Sequence, residues 1–305
     1  MSAIAVGDGF KIAVLLPCRD QAATIGSVVR GFAEALPGAE IFVFDNNSTD
    51  DTARVASHAG ARVFREARQG KANVVRRMFA DIEADIYVLA DGDGTYDPAD
   101  APSLVNALVT ERADMAVGMR GSAAGRAATT FARRVLDRLY RRSIGVAFVD
   151  VFSGYRALTR RFVKSFPAIS RGFDIEAELS MHAGQMMIPV AEIELSEAGR
   201  TDGQRPSTLR DGLRVLKVLA RLMKETRPFA FYSAVALVFW IVGLAIAAPA
   251  ISRPESGPTA LAVATGLFVA GFVSAACGLV LDSVGRTRVE QKRILFLTVP
   301  ALGAR

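Results

Sequence analysis

Histidine, cysteine and tryptophan are nearly missing from this chain, which holds two, two and one of them among 305 residues. His58 and His182 have no metal-ligating partner at useful spacing. Cys18 and Cys277 are too few and too far apart for a disulfide framework or a thiolate cluster. The start, "MSAIAVGDGF", lacks the basic region and long apolar run of a secretory signal. The large N-terminal part is therefore expected to fold in the cytoplasm. Internal repeats and low-complexity tracts are absent as well.

Charge is missing from two stretches, 229–251 and 259–281, each uncharged over 23 residues. At about 1.5 Å per residue, either helix covers the roughly 30 Å hydrocarbon core of a bilayer. The short connection 252–258 predicts a helical hairpin. Residues 1–199 hold 23 Lys and Arg against 25 Asp and Glu, whereas residues 200–228 hold 8 against 3 and residues 282–305 hold 5 against 2. The basic excess flanks the apolar runs, so nucleic-acid binding is a poor explanation. The positive-inside rule places both flanks in the cytoplasm and the turn outside. Leu209, Leu213, Leu216, Leu219 and Leu222 follow helical spacing, with Arg210, Arg214, Lys217, Arg221 and Lys224 on the other faces. Residues 208–228 thus read as an amphipathic helix lying in the headgroup layer.

The segments that do carry structure signals alternate. "KIAVLLPC", "EIFVFDN", "ARVFRE", "DIYVLADGD" and "DMAVGMR" read as strands, with helices over 22–36, 51–58, 71–82 and 98–111. Such alternation predicts an α/β fold with a doubly wound, mostly parallel sheet. Ligands of these sheets bind outside the carboxyl ends of the strands. Residues 17–21, 45–48 and 91–93 should gather along that rim.

"LADGDGTYDP" ends a buried strand with Asp91 and Asp93 around Gly92. Carboxylates this close need a cation between them, and oxygen ligands of this kind suit Mg²⁺ or Mn²⁺ with phosphate oxygens completing the shell. A calcium loop fails, because Tyr96 stands where that loop needs glycine and Pro102 where it needs glutamate. D-x-D alone leaves two readings open, a metal site or a polar strand-to-helix turn. Asp45, at a second strand end, is suited to accept a hydrogen bond from a base or a ribose hydroxyl.

"LLPCRDQAATIGSVV", "VFDNNSTDDT", "RQGKANVVRRMF", "LADGDGTYDP", "VFSGYRALTR" and "RGFDIEAEL" occur in the order seen in inverting family 2 glycosyltransferases of the GT-A fold. Over residues 10–228 the chain most resembles the dolichyl-phosphate mannosyltransferase and polyprenyl-phosphate glycosyltransferase group. The resemblance implies that Pro17, Arg19, Asp20 and Gln21 touch the nucleoside, although the family's P-x-Y-N-E is altered here at Arg19 and Gln21. Asp45 and Asn46 stand where the family has paired acids beside the base. Gly70 and Lys71 match a Gly-Lys pair near the donor. Asp91, Gly92 and Asp93 match the metal motif, with Thr95 in a position that is glutamine in some members. Arg120 matches an arginine near the phosphates. Ser153, Gly154, Tyr155 and Arg156 fall in the segment that closes over sugar and acceptor. Asp174 and Glu176 fall near the acceptor end, although acids on a helix such as Glu176 and Glu178 are more often a solvated face. Arg200 and Arg205 fall in a basic loop facing a lipid phosphate, or are plain juxtamembrane charge.

The expected activity is metal-dependent transfer, with inversion, of one sugar from a UDP- or GDP-sugar to polyprenyl phosphate. Asp93, Arg120, Asp174 and Glu176 would serve the chemistry. The expected domains are a cytoplasmic GT-A unit (1–207), the interfacial helix (208–228), the hairpin (229–281) and a cytoplasmic tail (282–305). The setting is the cell inner membrane, with lipid as a partner and a homo-oligomer expected. Another lipid or glycan acceptor, or a non-catalytic nucleotide-sugar binder, are the competing readings.

Overall fold

Strand β1 (Ile12–Cys18) is buried along its whole length, which is why its sequence is an unbroken apolar run. In the computed structural model the described residues are 9–119, 153–168, 175–196, 224, 227–252 and 257–303. Strands β2 (Glu40–Asp45), β3 (Arg62–Arg65), β4 (Ile86–Leu89), β5 (Met115–Met119), β6 (Arg156–Thr159) and β7 (Val190–Glu194) complete one seven-stranded sheet, ordered β3-β2-β1-β4-β6-β5-β7. β1 pairs in parallel with β2 and β4, and β2 with β3. β6 runs antiparallel to both β4 and β5, and β7 runs parallel to β5. Edge strand β3 carries Arg62 and Arg65 at its ends, and Arg62 stacks over Phe42 at 5.1 Å, so charge covers the open edge.

Helices clothe both faces, as the alternation predicts. Along α1 (Ile25–Ala35), Ile25, Val28, Val29 and Phe32 recur at helical spacing and are buried. With α4 (Ala101–Thr110) they cover the face carrying Ile12, Val14, Leu16, Ile86 and Val88. Tyr87 points the other way and meets Phe79 of α3 (Lys71–Asp81), with ring centroids 6.3 Å apart. Three further helices of this unit are α2 (Thr52–His58), α5 (Arg160–Ser165) and α6 (Ile175–Met186).

The second unit contains a helical hairpin, α7 (Pro228–Ser252) and most of α8 (Gly257–Thr298). Both helices are long and apolar enough to cross a membrane. In α8 the buried positions are Gly257, Ala264, Gly271 and Gly278, one every seven residues. A side chain at Gly271 would collide with the Trp240 ring, and one at Gly278 would come 2.8 Å from Tyr232 Cβ. Trp240 Nε1 donates to Phe268 O at 3.3 Å, and Ser274 Oγ donates to Tyr232 O at 3.0 Å. Small residues at a seven-residue period let two apolar helices approach along a coiled seam.

The apolar run expected to end at 281 lies within one continuous helix. α8 has 42 residues, about 63 Å, roughly twice a hydrocarbon core. Its last residues and the turn after it, from Lys292, belong to the unit that holds the sheet. There Arg161 lies 4.6 Å over the Phe296 ring, and Leu302 packs with Phe10 against the core. The interfacial helix expected over 208–228 lies almost wholly outside the described residues.

Candidate active site

β1, β2 and β4 run in parallel, so their carboxyl ends form one rim. The loop after β1 turns sharply at Asp20, whose φ is +52°. Asp20 Oδ1 accepts from Thr49 N at 2.7 Å, and Gln21 N donates to Thr52 Oγ1 at 2.7 Å, tying the first rim loop to the second. Arg19 and Asp20 are exposed there. Pro17 is buried within the strand, paired in register with Phe44. It shapes the loop and has no surface to offer a base, which corrects its expected role.

Asn46 is corrected in the same way. Its Nδ2 donates to Glu66 O at 2.9 Å and Arg68 O at 2.8 Å, and its Oδ1 accepts from Gly70 N at 2.7 Å. Three hydrogen bonds commit this buried amide to the loop between β3 and α3. Asp45 is buried beside it and accepts from Ser48 N at 3.3 Å. Asn46 thereby fixes Gly70, whose φ of +120° only glycine takes readily, and so aims the first side chain of α3.

That side chain is Lys71. Its ammonium makes a short ion pair with Asp91 and lies 2.5 Å from Glu176 Oε1. Twenty residues separate Lys71 from Asp91, and Glu176 comes from α6, far along the chain. α6 is buried almost all round, so Glu176 does not lie on the solvated face that its sequence pattern favours. Burial alone would lower the Lys71 pKa, but the two carboxylates outweigh it and hold the ammonium above its usual range. Burial raises the Asp91 carboxyl; Lys71 opposes this, while Glu176 and Asp93 add to it. The pair is thus a charged lysine in a cluster with excess acid.

The loop around Asp91 is held by close packing. A side chain at Gly92 would collide with Cys18 Sγ and come 2.6 Å from Gln21 Oε1. Thr24 Oγ1 donates to Gly92 O at 2.9 Å. Asp93 is exposed, and its Oδ1 accepts from Thr95 N at 2.9 Å. Gly154 lies against the other side of Asp91, where an added Cβ would stand 2.9 Å from Oδ2. Burial pushes the Cys18 thiol up, and Asp45, Asp91 and Asp93 push it further, so it stays protonated and is no nucleophile.

These donors fit a divalent cation. Among the described residues the Lys71 ammonium meets Asp91 and Glu176, and Asp93 adds a third carboxylate beside Asp91, so acid outnumbers base there. The oxygens are hard ligands on a glycine-lined turn. No set of three or more protein ligands converges on one point among the described residues. A cation here would draw on one or two carboxylates and complete its shell from phosphate and water, as Mg²⁺ does.

The "SGYR" segment divides. Ser153, Tyr155 and Arg156 are fully buried. Ser153 Oγ donates to Gly118 O at 2.6 Å, and Tyr155 OH donates to Asp97 O at 3.2 Å. Arg156 donates to Ser153 O at 2.9 Å and Ser180 Oγ at 2.9 Å. These three are buried and brace the sheet and α6, unlike the acceptor contacts expected of them, and Gly154 borders the acidic cluster. Arg120, Asp174, Arg200 and Arg205 lie outside the described residues. Reading by sequence missed Tyr96, whose hydroxyl accepts from Gly154 N at 2.8 Å and holds that glycine beside Asp91. Its one signal was its place in "GDGTYDP".

The family model for glycosyl transferase family 2 matches residues 13–165, which span every strand from β1 to β6. The chain belongs to that family. This family 2 glycosyltransferase is 31% identical over 243 residues to Glycosyltransferase AglJ of Haloferax volcanii, covering 77% of this chain and 80% of that protein. It is 51% identical over 111 residues to Protein RfbJ of Shigella flexneri, covering 36% of this chain and 86% of that one. Among solved structures it resembles glucosyl-3-phosphoglycerate synthase of Mycobacterium tuberculosis. The TM-score is 0.57 at 29% identity, over 71% of this chain and 80% of that one. A complex of that enzyme with Mg²⁺ and UDP aligns with a TM-score of 0.58 at 28% identity, over 71% and 79%. A complex with Mn²⁺, UDP and glucosyl-3-phosphoglycerate aligns similarly, at 0.57 and 27%. The GT-A fold expected from the motifs is the fold observed.

Proposed function

We propose that this glycosyltransferase moves one hexose from a nucleotide-sugar to polyprenyl phosphate on the cytoplasmic leaflet of the cell inner membrane. The observation that carries the reading is an acidic, glycine-lined sheet rim in a chain that also holds two helices able to cross a bilayer. UDP is the favoured nucleotide, because the solved relatives were crystallised with it. Asp91 and Asp93 would hold Mg²⁺ or Mn²⁺, which when bound stabilises charge on the departing diphosphate. Arg19 and Asp20 edge the nucleoside side of the rim, and Asp45 lies buried behind them. Gly154 packs against Asp91 and Tyr96 where no side chain fits, which holds the Asp91 carboxylate in place at the rim. A lipid phosphate is already anionic at neutral pH and attacks without a strong general base, so positioning and leaving-group stabilisation are the protein's task. Arg120, Arg200 and Arg205 would guide the two phosphate groups.

The test is turnover by detergent-solubilised protein with undecaprenyl phosphate, Mg²⁺ or Mn²⁺, and a panel of UDP- and GDP-sugars. The expected product is lipid-linked, acid-labile sugar, lost at least about a hundredfold in Asp91→Ala and Asp93→Ala. No lipid-linked product from any donor would sink the proposal. A second reading follows from the solved relative bound to phosphoglyceric acid, a small phosphorylated acceptor. A water-soluble glycosylated product would favour it.

A further inference from the structure

Lys71 occupies the place where the donor's cation belongs. Its ammonium bridges Asp91 and Glu176, and Asp91 is half of the D-x-D pair. Nothing in the local backbone forces this. Lys71 is the first residue of α3, set by a loop that Asn46 holds with three hydrogen bonds. The lysine side chain beyond that anchor is flexible and has one compact charge. It is about one-third exposed, more than either carboxylate it pairs with.

An ammonium and a divalent cation cannot both sit fully on one carboxylate without strong mutual repulsion. The nucleotide diphosphate changes the balance, because it brings anionic oxygens that an ammonium can take in place of Asp91. We propose that Lys71 is an exchange residue: in donor-free protein it occupies Asp91 and blocks tight binding of a free metal ion, and on arrival of the metal–nucleotide it moves from Asp91 to a diphosphate oxygen. This rests on the assignment of metal and nucleotide to the Asp91 rim. No bond is made or broken in the step; one ion pair replaces another. The consequence is order: the site discriminates against bare metal and accepts metal that comes with its nucleotide. Glu176 keeps the ammonium close during the exchange, which gives this buried acid a positioning role.

The experiment is Mn²⁺ titration followed by electron paramagnetic resonance, on full-length protein in detergent, with and without UDP. Wild type is compared with Lys71→Met, Lys71→Gln and Asp91→Asn, and thermal melts establish that each variant is folded. Without UDP, Lys71→Met and Lys71→Gln should bind Mn²⁺ roughly tenfold more tightly than wild type, since a competing charge is gone. With UDP that advantage should vanish or reverse, since the diphosphate loses its ammonium. If both Lys71 variants bind Mn²⁺ no more tightly without UDP, the exchange is overturned while the metal site stands. If Asp91→Asn binds Mn²⁺ and UDP as wild type does, the site assignment falls, and the exchange with it.

Discussion

At the scale of the residue, His182 shows how burial sets chemistry away from the rim. Its ring lies between Phe162 and Phe166, with centroids 5.2 and 5.4 Å away. Ser165 Oγ donates its proton to Phe162 O, so it accepts from His182 Nε2, 3.0 Å away. That leaves Nδ1 as a bare lone pair, without a partner in its buried position. A second proton there would create a buried N–H with no acceptor. Burial, with a smaller push from Lys292, lowers the pKa from 6.5 to about 3. The folded value lies below the unfolded one, so the stabilisation is present above about pH 6.5 and is lost as pH falls towards 3. Between pH 6.5 and 5 the loss should be about 2 kcal/mol. Melting of wild type and His182→Phe at both pH values checks this, the variant being flatter by about that amount. Parallel curves would show that the imidazole does not titrate with folding.

At the scale of the element, the hairpin makes a sharper demand than hydropathy does. Length and lack of charge say only that each helix can cross a membrane. The seven-residue period of Gly257, Ala264, Gly271 and Gly278 says which face of α8 meets α7. Gly271→Leu should force Trp240 out of its place, with the loss of its bond to Phe268 O. The expected effect is a destabilisation of about 2–3 kcal/mol, typical of overpacking a close contact. Gly266→Leu, at a position with open space around it, should change little. Both are read by thermal unfolding in detergent or bicelles. Equal tolerance of the two would mean that the helices do not pack on this seam.

At the scale of the whole molecule, the C-terminal end of the chain is more than a charged tail. Residues from Lys292 onward pack on the sheet unit at the end opposite the acidic rim. Phe10 precedes β1, and Asp85 and Arg160 flank β4 and β6 where they border Pro300 and Leu302. Arg161, which stacks on Phe296, also pairs with buried Asp114 at 2.5 Å. A stop codon after Gln291 should therefore cost the sheet unit about 1–2 kcal/mol, from one cation–π contact and one partly buried leucine. Membrane partitioning should be unaltered, since both apolar runs remain. Unchanged resistance of the sheet unit to limited proteolysis would refute this.

β6, β7, α5 and α6 were not read from the sequence; local signals in it determined the first five strands, the four helices among them, the membrane-length runs and the position of the D-x-D turn. Each depends on periodicity, chain polarity or an uncharged stretch, and these survive without knowledge of distant contacts. Fold and rim were legible for that reason. Tertiary structure alone decided which rim residues meet. Lys71, Asp91 and Glu176 come from three elements, and only the packing of α3, β4 and α6 brings one ammonium between two carboxylates. The same packing buried Ser153, Tyr155 and Arg156, which by motif look like binding residues, because a side chain's exposure depends on what folds over it. It also turned Asn46 from a base contact into a clamp, since an amide can serve either end and the nearest loop satisfied it first.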